Sequence, residues 1–332
     1  MMKIQRIQAK EKENVELVSD ELPDPEDGEV QVRTEFSLVS PGTERALITE
    51  LPNTSGDYPR MLGYSASGIV IKTGNGVTKF KVNDRVAGVI NHQSAANISE
   101  KKLVHVPEGL TLEQAAFLFL GVITLQGVRK ARIELGESCL VIGQGLIGQI
   151  TAQLAQANGA YPVICTDKVK SKLKLAKKNG IDAVIDANSP DWLQNVLAAT
   201  NGQGANIVME STGFPAPVND AFAGAAQYGR VILLASTRGI TTEVNFYRDV
   251  HRKGLYVIGA HVLCNPVYES RPGHWTIQDD ANVFLNMIKI GKVKVNNLIN
   301  ECRSYKDYKE IYSRVINWEK DYITSLINWQ EK

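Results

Sequence analysis

The stretch Cys139-Leu140-Val141-Ile142-Gly143-Gln144-Gly145-Leu146-Ile147-Gly148 constrains this chain more than any other. A short apolar run meets a glycine turn and then a helical segment, expected over Gln149 to Asn158 and closed by Gly159. Each glycine has a mechanical reason to be there. Gly143 permits the tight turn, Gly145 lets backbone approach a pyrophosphate, and Gly148 lets helix and strand pack closely. The helix N-terminus then offers free N–H groups and a positive dipole end to the phosphates, and Leu146 and Ile147, in the glycine turn before it, are candidate cofactor contacts. A second strand, Tyr161 to Thr166, ends in Asp167, about 20 residues past the fingerprint. Strand, glycines, helix, strand and acid in that order predict a dinucleotide-binding βαβ unit. A glycine turn in some other α/β unit would leave Asp167 unexplained.

The repeat continues. Lys170 to Asn179 reads as a basic helix stopped by Gly180, and Ala183 to Asp186 as a third strand. Pro190 to Ala199 is helical, Ile207 to Glu210 a fourth strand, Val231 to Ala235 a fifth and Leu255 to Gly259 a sixth. Alternation of this kind predicts a doubly wound parallel sheet with its ligand at the C-terminal strand ends, a Rossmann fold. Ser211, Thr212, Leu234 and Ser236 fall at such ends. Asp167 is placed to accept both adenosine ribose hydroxyls, which favours NAD, because its charge repels a 2′-phosphate. Lys168 and Lys172 could partly neutralise that repulsion.

Residues 1 to about 119 differ in character. Short strands alternate with turn signals: Val30 to Glu35, the turn Ser40-Pro41-Gly42-Thr43, Gly68 to Lys72, Gly74-Asn75-Gly76, and the run Lys81 to Val86. This is the pattern of a small β-barrel. Thr111-Leu112-Glu113-Gln114 resembles a capping box and opens a helix. Beyond Cys264 come a loop, a helix over Ile277 to Ile290, a short strand near Leu298 and a helix from Tyr305 to Trp318. That tail is too small for its own core and is expected to pack on the first domain.

Composition excludes several classes. The chain has 332 residues, enough for two cores, with 43% hydrophobic and 22% charged residues. A net charge of +1 sets up no field for nucleic acid or an anionic membrane. Lys3, Arg6, Lys10 and Lys12 interrupt any apolar signal core, and no apolar run reaches the roughly 18 residues of a membrane span. A cytoplasmic location is expected. Cys139, Cys165, Cys264 and Cys302 show no C-x-x-C spacing, so neither a disulfide framework nor a structural zinc site is indicated.

In sequence order, "FKVNDRVAG" (80–88), "VHVPEGLTLEQAAF" (104–117), "LGESCLVIGQGLIGQ" (135–149), "KNGIDAVID" (178–186) and "GANIVMESTG" (204–213) resemble the medium-chain dehydrogenase/reductase superfamily. The resemblance covers essentially the whole chain. It implies a GroES-like catalytic domain over 1–119 and 264–332, and a Rossmann domain over 120–263. It also implies nicotinamide-dependent oxidoreduction, usually of an alcohol, and a homodimer or homotetramer joined along the last Rossmann strands. Lys172 would contact the cofactor ribose, and Ala260 would lie beside the nicotinamide.

One departure is informative. Where zinc-dependent members carry metal ligands, this chain has Pro41-Gly42-Thr43-Glu44, Gly63-Tyr64-Ser65 and, roughly, Phe119, and Gly88 runs to Pro107 without a cysteine. A catalytic zinc needs about three protein ligands. The resemblance therefore narrows to a zinc-free branch, similar to bacteriochlorophyllide-type and sugar- or cyclitol-linked dehydrogenases, with no metal expected. Without metal a side chain must accept the hydroxyl proton as hydride leaves, most often a histidine. His92 and His261 are the candidates, supported by Thr43 and Glu44. His105 reads as structural and His251 as part of a solvated basic face. Tyr64 is either a participant or an aromatic plug in a vacated metal pocket; Glu44 is either a participant or an ion-pair partner of Arg45 or Lys253. Asn265, Tyr268, Glu269, Arg271, His274 and Trp275 suggest a polyhydroxylated alcohol or ketone. Two alternatives share the pattern: an NADPH-dependent quinone or enoyl reductase, and a non-catalytic nucleotide-binding protein.

Overall fold

The computed structural model describes residues 1–54, 56–267 and 269–330. Their contacts divide into two compact units, Met1–Leu120 with Gln278–Ile290 and Leu298–Lys332, and Gly121–Ile277 with Gly291–Asn297.

The first unit opens with strands β1 (Met2–Glu11), β2 (Asn14–Leu22) and β3 (Glu29–Leu38), then helix α1 (Pro41–Thr49). Strands β4 (Arg60–Met61), β5 (Ala66–Thr73), β6 (Arg85–Gly88), β7 (Ala95–Ser99) and β8 (Leu103–His105) follow, with a short helix α2 (Leu112–Ala115). The capping box at Thr111 forms as expected: its hydroxyl accepts from Gln114 N–H at 3.2 Å, and the Gln114 side chain accepts from Thr111 N–H at 3.1 Å. Helix α3 (Leu118–Ala131) then leads into the second unit.

That unit alternates β9 (Cys139–Ile142), α4 (Leu146–Ala157), β10 (Val163–Asp167), α5 (Lys170–Asn179), β11 (Ala183–Asp186) and α6 (Trp192–Ala199). It continues with β12 (Ala205–Glu210), α7 (Pro217–Gly224), β13 (Ala225–Leu233) and β14 (Tyr256–Gly259). The strands pair in parallel in the order β11-β10-β9-β12-β13-β14. That order reverses beside β9, at the switch point where such sheets bind ligands. All four residues of β9 are buried, as a central parallel strand covered on both faces requires. Leu140, Ile142, Ile164, Val208 and Val231 pack on Val196 of α6 and Val218, Ala221 and Phe222 of α7.

The chain closes with α8 (Ile277–Lys289), β15 (Ile299–Ser304), α9 (Tyr308–Ile316) and β16 (Thr324–Asn328). Strand β16 pairs with β3 and β15, extending the sheet β15-β16-β3-β5-β6-β8. Ile311, Tyr312, Val315 and Trp329 share a buried cluster with Ile7, Val39, Ile48 and Leu62. The tail thus completes the first unit's core. Residues 291–297, expected in the first domain, group with the second. The Gln153 side chain bonds Lys294 N–H at 2.7 Å, and Asn297 bonds Asn179 at 3.1 Å. Residues 264–277 group there too; Arg129 lies 4.0 Å over the Trp275 ring.

Two local expectations are corrected. Ser40-Pro41-Gly42-Thr43 is the start of α1 rather than an isolated turn: Pro41 sits in the first helical turn, where its missing N–H costs nothing. The glycine-following helix begins at Leu146, three residues before Gln149. Among the described residues no helix is long and apolar enough to cross a membrane.

Candidate active site

In the second unit the chain turns sharply after β9. Gly143 adopts φ +88, and a Cβ there would come within 2.7 Å of Thr212 Cγ2. A Cβ on Gly148 would overlap the Gly143 carbonyl oxygen, so only glycine lets α4 approach β9 this closely. Gly145 precedes α4, and nothing lies within 4 Å of where its Cβ would be. The first turn of α4, Leu146 and Ile147 included, therefore presents its N–H groups beside an open backbone surface. Asp167, the last residue of β10, braces this turn: one carboxylate oxygen accepts Gln144 N–H at 2.6 Å and the other Val169 N–H at 2.8 Å. A carboxylate offers about four lone-pair sites, so Asp167 retains capacity for ribose hydroxyls. Lys168 is exposed and Lys172 half-buried on α5.

The far half is built at the ends of β12, β13 and β14. Ser211 Oγ donates to the carbonyls of Ile142 (2.7 Å) and Gly143 (2.9 Å), tying the two strand ends together. Glu210 is fully buried, and one oxygen accepts Thr212 N–H at 2.7 Å while the other has no hydrogen-bond partner among the described residues. Burial pushes its carboxyl above the usual glutamate range. Leu234 is buried and Ser236 exposed. Ala260 N–H bonds Leu233 O at 3.0 Å, and its carbonyl accepts from the Gln126 side chain. The open Gly145 backbone, the helix N-terminus and the braced carboxylate fit a dinucleotide.

The first unit gathers a different set. Tyr64 Oη donates to Ser40 Oγ at 2.6 Å and lies 3.5 Å from Thr43 Oγ1, with both Tyr64 and Thr43 half-buried. The Tyr64 ring meets Phe119 edge-on at 5.5 Å. Glu44 and His92 are both 0% exposed and face each other, His92 Nε2 lying 3.2 Å from each Glu44 oxygen. His92 Nδ1 is 2.7 Å from Ser37 Oγ, which accepts from Trp329 Nε1 at 2.8 Å. Glu44 also accepts Ser40 N–H at 2.7 Å and Tyr312 O–H at 2.6 Å. His92, expected as a proton acceptor, and Glu44, expected in support of it, are thus both sealed in the core with their polar atoms committed to one another and to Ser37, Ser40 and Tyr312. Arg45 and Lys253 are not the partners of Glu44: Arg45 stacks on Trp318 at 5.0 Å, and Lys253 donates to the Phe222, Ala223 and Ala225 carbonyls.

Two family models match in succession: "Alcohol dehydrogenase GroES-like domain" over residues 26–151 and "Zinc-binding dehydrogenase" over 147–271. The chain belongs to the medium-chain dehydrogenase/reductase superfamily, a family of oxidoreductases. It is similar to D-guloside 3-dehydrogenase of Escherichia coli K12, 24% identical over 77% of this chain and 73% of that protein. It is also similar to sorbitol dehydrogenase of Halalkalibacterium halodurans, 25% identical over 90% of this chain and 92% of that protein. Among solved structures, a dehydrogenase from Sinorhizobium meliloti 1021 bound to NADP superposes with a TM-score of 0.85. It is 20% identical, over 99% of this chain and 100% of that chain.

The superfamily's zinc does not fit the donors of this member. Among the described residues no three His, Cys, Asp or Glu side chains gather as a metal site. Pro41, Tyr64 and, roughly, Phe119, the positions that the resemblance sets against the zinc ligands, offer none of the nitrogen, sulfur or carboxylate donors that zinc prefers. His261 belongs to the second unit, is exposed, and uses Nδ1 to accept Leu263 N–H at 3.3 Å. Asn265, Glu269, Arg271, His274 and Trp275 lie in or beside a short loop closed by the backbone pair Arg271–His274 at 2.7 and 2.8 Å; Tyr268 lies outside the described residues. Sequence reasoning missed Ser37, Ser40, Tyr312, Trp329 and Gln126. Ser40 was within reach, since a serine before proline at a helix start is a capping signal. Tyr312 was not, because 268 residues separate it from Glu44.

Proposed function

We propose that this chain is a zinc-independent, NAD-dependent oxidoreductase that moves hydride between NAD(H) and a secondary alcohol or ketone of a polyhydroxylated substrate. The observation that carries the reading is Asp167 at the end of β10, whose carboxylate braces the glycine turn with one bond per oxygen and keeps lone pairs that could accept ribose hydroxyls. Bound here, NAD would supply the acceptor for the hydride that leaves the carbinol carbon. The glycine turn and the α4 N-terminus would hold its pyrophosphate, and Asp167 with Lys172 its adenosine ribose. Ser211, Thr212, Leu234, Ser236 and Ala260 would frame the other half. Tyr64 would orient the substrate hydroxyl: its oxygen accepts that O–H while its own proton is directed at Ser40 Oγ, and the proton released as hydride leaves passes to solvent water. Thr43 offers a second hydroxyl 3.5 Å away, which suits a substrate carrying neighbouring hydroxyls. The sugar and polyol dehydrogenases among the relatives support this substrate class. NADP in the Sinorhizobium structure does not decide the cofactor, because at 20% identity that likeness speaks for the fold. Initial rates with NAD and NADP across a panel of polyols and cyclitols test the reading. NAD-coupled turnover of at least one is expected; turnover confined to quinones or enones with NADPH would replace it.

A further inference from the structure

The buried cluster behind Thr43 and Tyr64 has a direction built into it. The Trp329 indole N–H can only donate, and Ser37 Oγ accepts it at 2.8 Å. Among the described residues the remaining partner of the Ser37 hydroxyl is His92 Nδ1 at 2.7 Å, so its single proton points there. An imidazole nitrogen that accepts is bare, and a neutral ring then carries its proton on Nε2. Nε2 faces the Glu44 carboxylate, which also takes Tyr312 O–H and Ser40 N–H. Every donor thus runs towards Glu44. Ser37, Glu44 and His92 are 0% exposed, Tyr312 1% and Trp329 3%, so water does not compete. Burial and the Glu44 charge hold the Tyr312 phenol well above its ordinary range, so it remains a donor.

The cluster also touches both segments that carry the site hydroxyls. Glu44 adjoins Thr43 on α1 and anchors Ser40 through its N–H. His92 N–H bonds Leu62 O at 2.9 Å, and Asn91 Nδ2 bonds Gly63 O at 2.7 Å, immediately before Tyr64. A Cβ on Gly63 would come within 2.5 Å of the His92 ring, so the imidazole lies flush on that turn. We propose that Trp329, Ser37, His92, Glu44 and Tyr312 form a one-way hydrogen-bond wire that locks His92 as the neutral Nε2–H imidazole and positions the Thr43 and Tyr64 hydroxyls. The five are positioning residues, drawn from β3, α1, the 91–92 loop, α9 and the end of the chain. Their role rests on the reading that Thr43 and Tyr64 meet substrate, whereas the direction of the wire does not.

Two readouts on the intact protein separate these parts. The first is nitrogen NMR of histidine-labelled protein at neutral pH, with the His92 signal assigned by its loss in His92→Gln or, if that variant does not fold, by its shift in Ser37→Ala. The expected result is a bare Nδ1 and a protonated Nε2. An imidazolium, or the Nδ1–H tautomer, overturns the wire whatever the enzyme acts on. The second is Trp329→Phe, which keeps the ring stacked on Tyr305 (centroids 5.1 Å apart) but deletes the donor. It is expected to lower kcat for NAD-coupled polyol oxidation about tenfold, as small misplacements of positioned groups do, with the NAD Kd unchanged. Unchanged kcat overturns the positioning role, as does a fall in kcat matched by loss of NAD binding. If the wild type oxidises no polyol, the functional reading fails and the NMR result still decides the wire.

Discussion

At the scale of single residues, Asp167 and Glu210 are two carboxylates at strand ends with opposite circumstances. Asp167 is only half-buried and satisfied by two amides, and the ribose of NAD would add bonds to a charged acceptor. Such bonds are worth roughly 1.5–3 kcal/mol, or about 10- to 150-fold. NADP would lose one of them and set a phosphate against the carboxylate. NAD is therefore expected to be preferred by at least about tenfold in kcat/KM, and Asp167→Ser should weaken NAD and narrow the gap, with Lys168 and Lys172 free to meet the phosphate. Equal use of both cofactors by the wild type would refute the role of Asp167. Glu210 is sealed, with one oxygen lacking a partner among the described residues. Its carboxyl holds a proton more tightly in the folded chain than in the unfolded one. Its contribution to stability is thus present at low pH and lost as pH rises through the folded value. Glu210→Gln keeps an acceptor for Thr212 without the charge. Its Tm relative to wild type should climb from below pH 4.5, the ordinary glutamate value, to neutral pH. A flat difference across that range would show that Glu210 is not the titrating group.

Secondary-structure elements show where local sequence speaks and where it does not. The strand–glycine–helix–strand–acid unit was legible because each of its parts is a local steric demand: Gly148, for instance, is fixed by the Gly143 carbonyl five residues away. Gly148→Ala is accordingly expected to abolish cofactor binding in a fluorescence titration, while retained affinity would mean that α4 can shift. Helix α1 was hidden because Ser-Pro-Gly-Thr is equally good turn chemistry; what extends it is the burial of Glu44, Ala46 and Ile48, a tertiary fact. Strand β16 was hidden for the same reason, since its partners are β3, nearly 300 residues earlier, and β15. Strand β14 makes a different demand. It is the edge of the parallel sheet, with Tyr256 64% and Val257 42% exposed. An uncovered edge of this kind invites pairing with a second copy. A dimer or tetramer mass by light scattering is expected, with Val257→Lys shifting it to a smaller species; a wild-type monomer at micromolar concentration would rule this out.

Across the whole molecule, the parts that the sequence made readable are those whose chemistry is contiguous in the chain, and the parts it concealed are assembled across long loops. The dinucleotide cradle lies largely within Gly143 to Lys172, and so did its signature. The Glu44 environment draws on Ser40, His92 and Tyr312, and no spacing rule links them. That is why His92 was read as a group facing substrate, when its ring belongs to the core. The same region bears on the missing zinc ligands: Tyr64, at one of the positions the resemblance sets against a ligand, lies within hydrogen-bonding reach of the Ser40 and Thr43 hydroxyls. The central claim is that hydride transfer proceeds on these hydroxyls with NAD and without metal. Its most direct test is NAD reduction by a polyol substrate after exhaustive dialysis of the enzyme against EDTA, with metal content determined on the same sample. The account predicts undiminished turnover by protein carrying far less than one zinc per chain. Activity lost on dialysis and restored by zinc would contradict it.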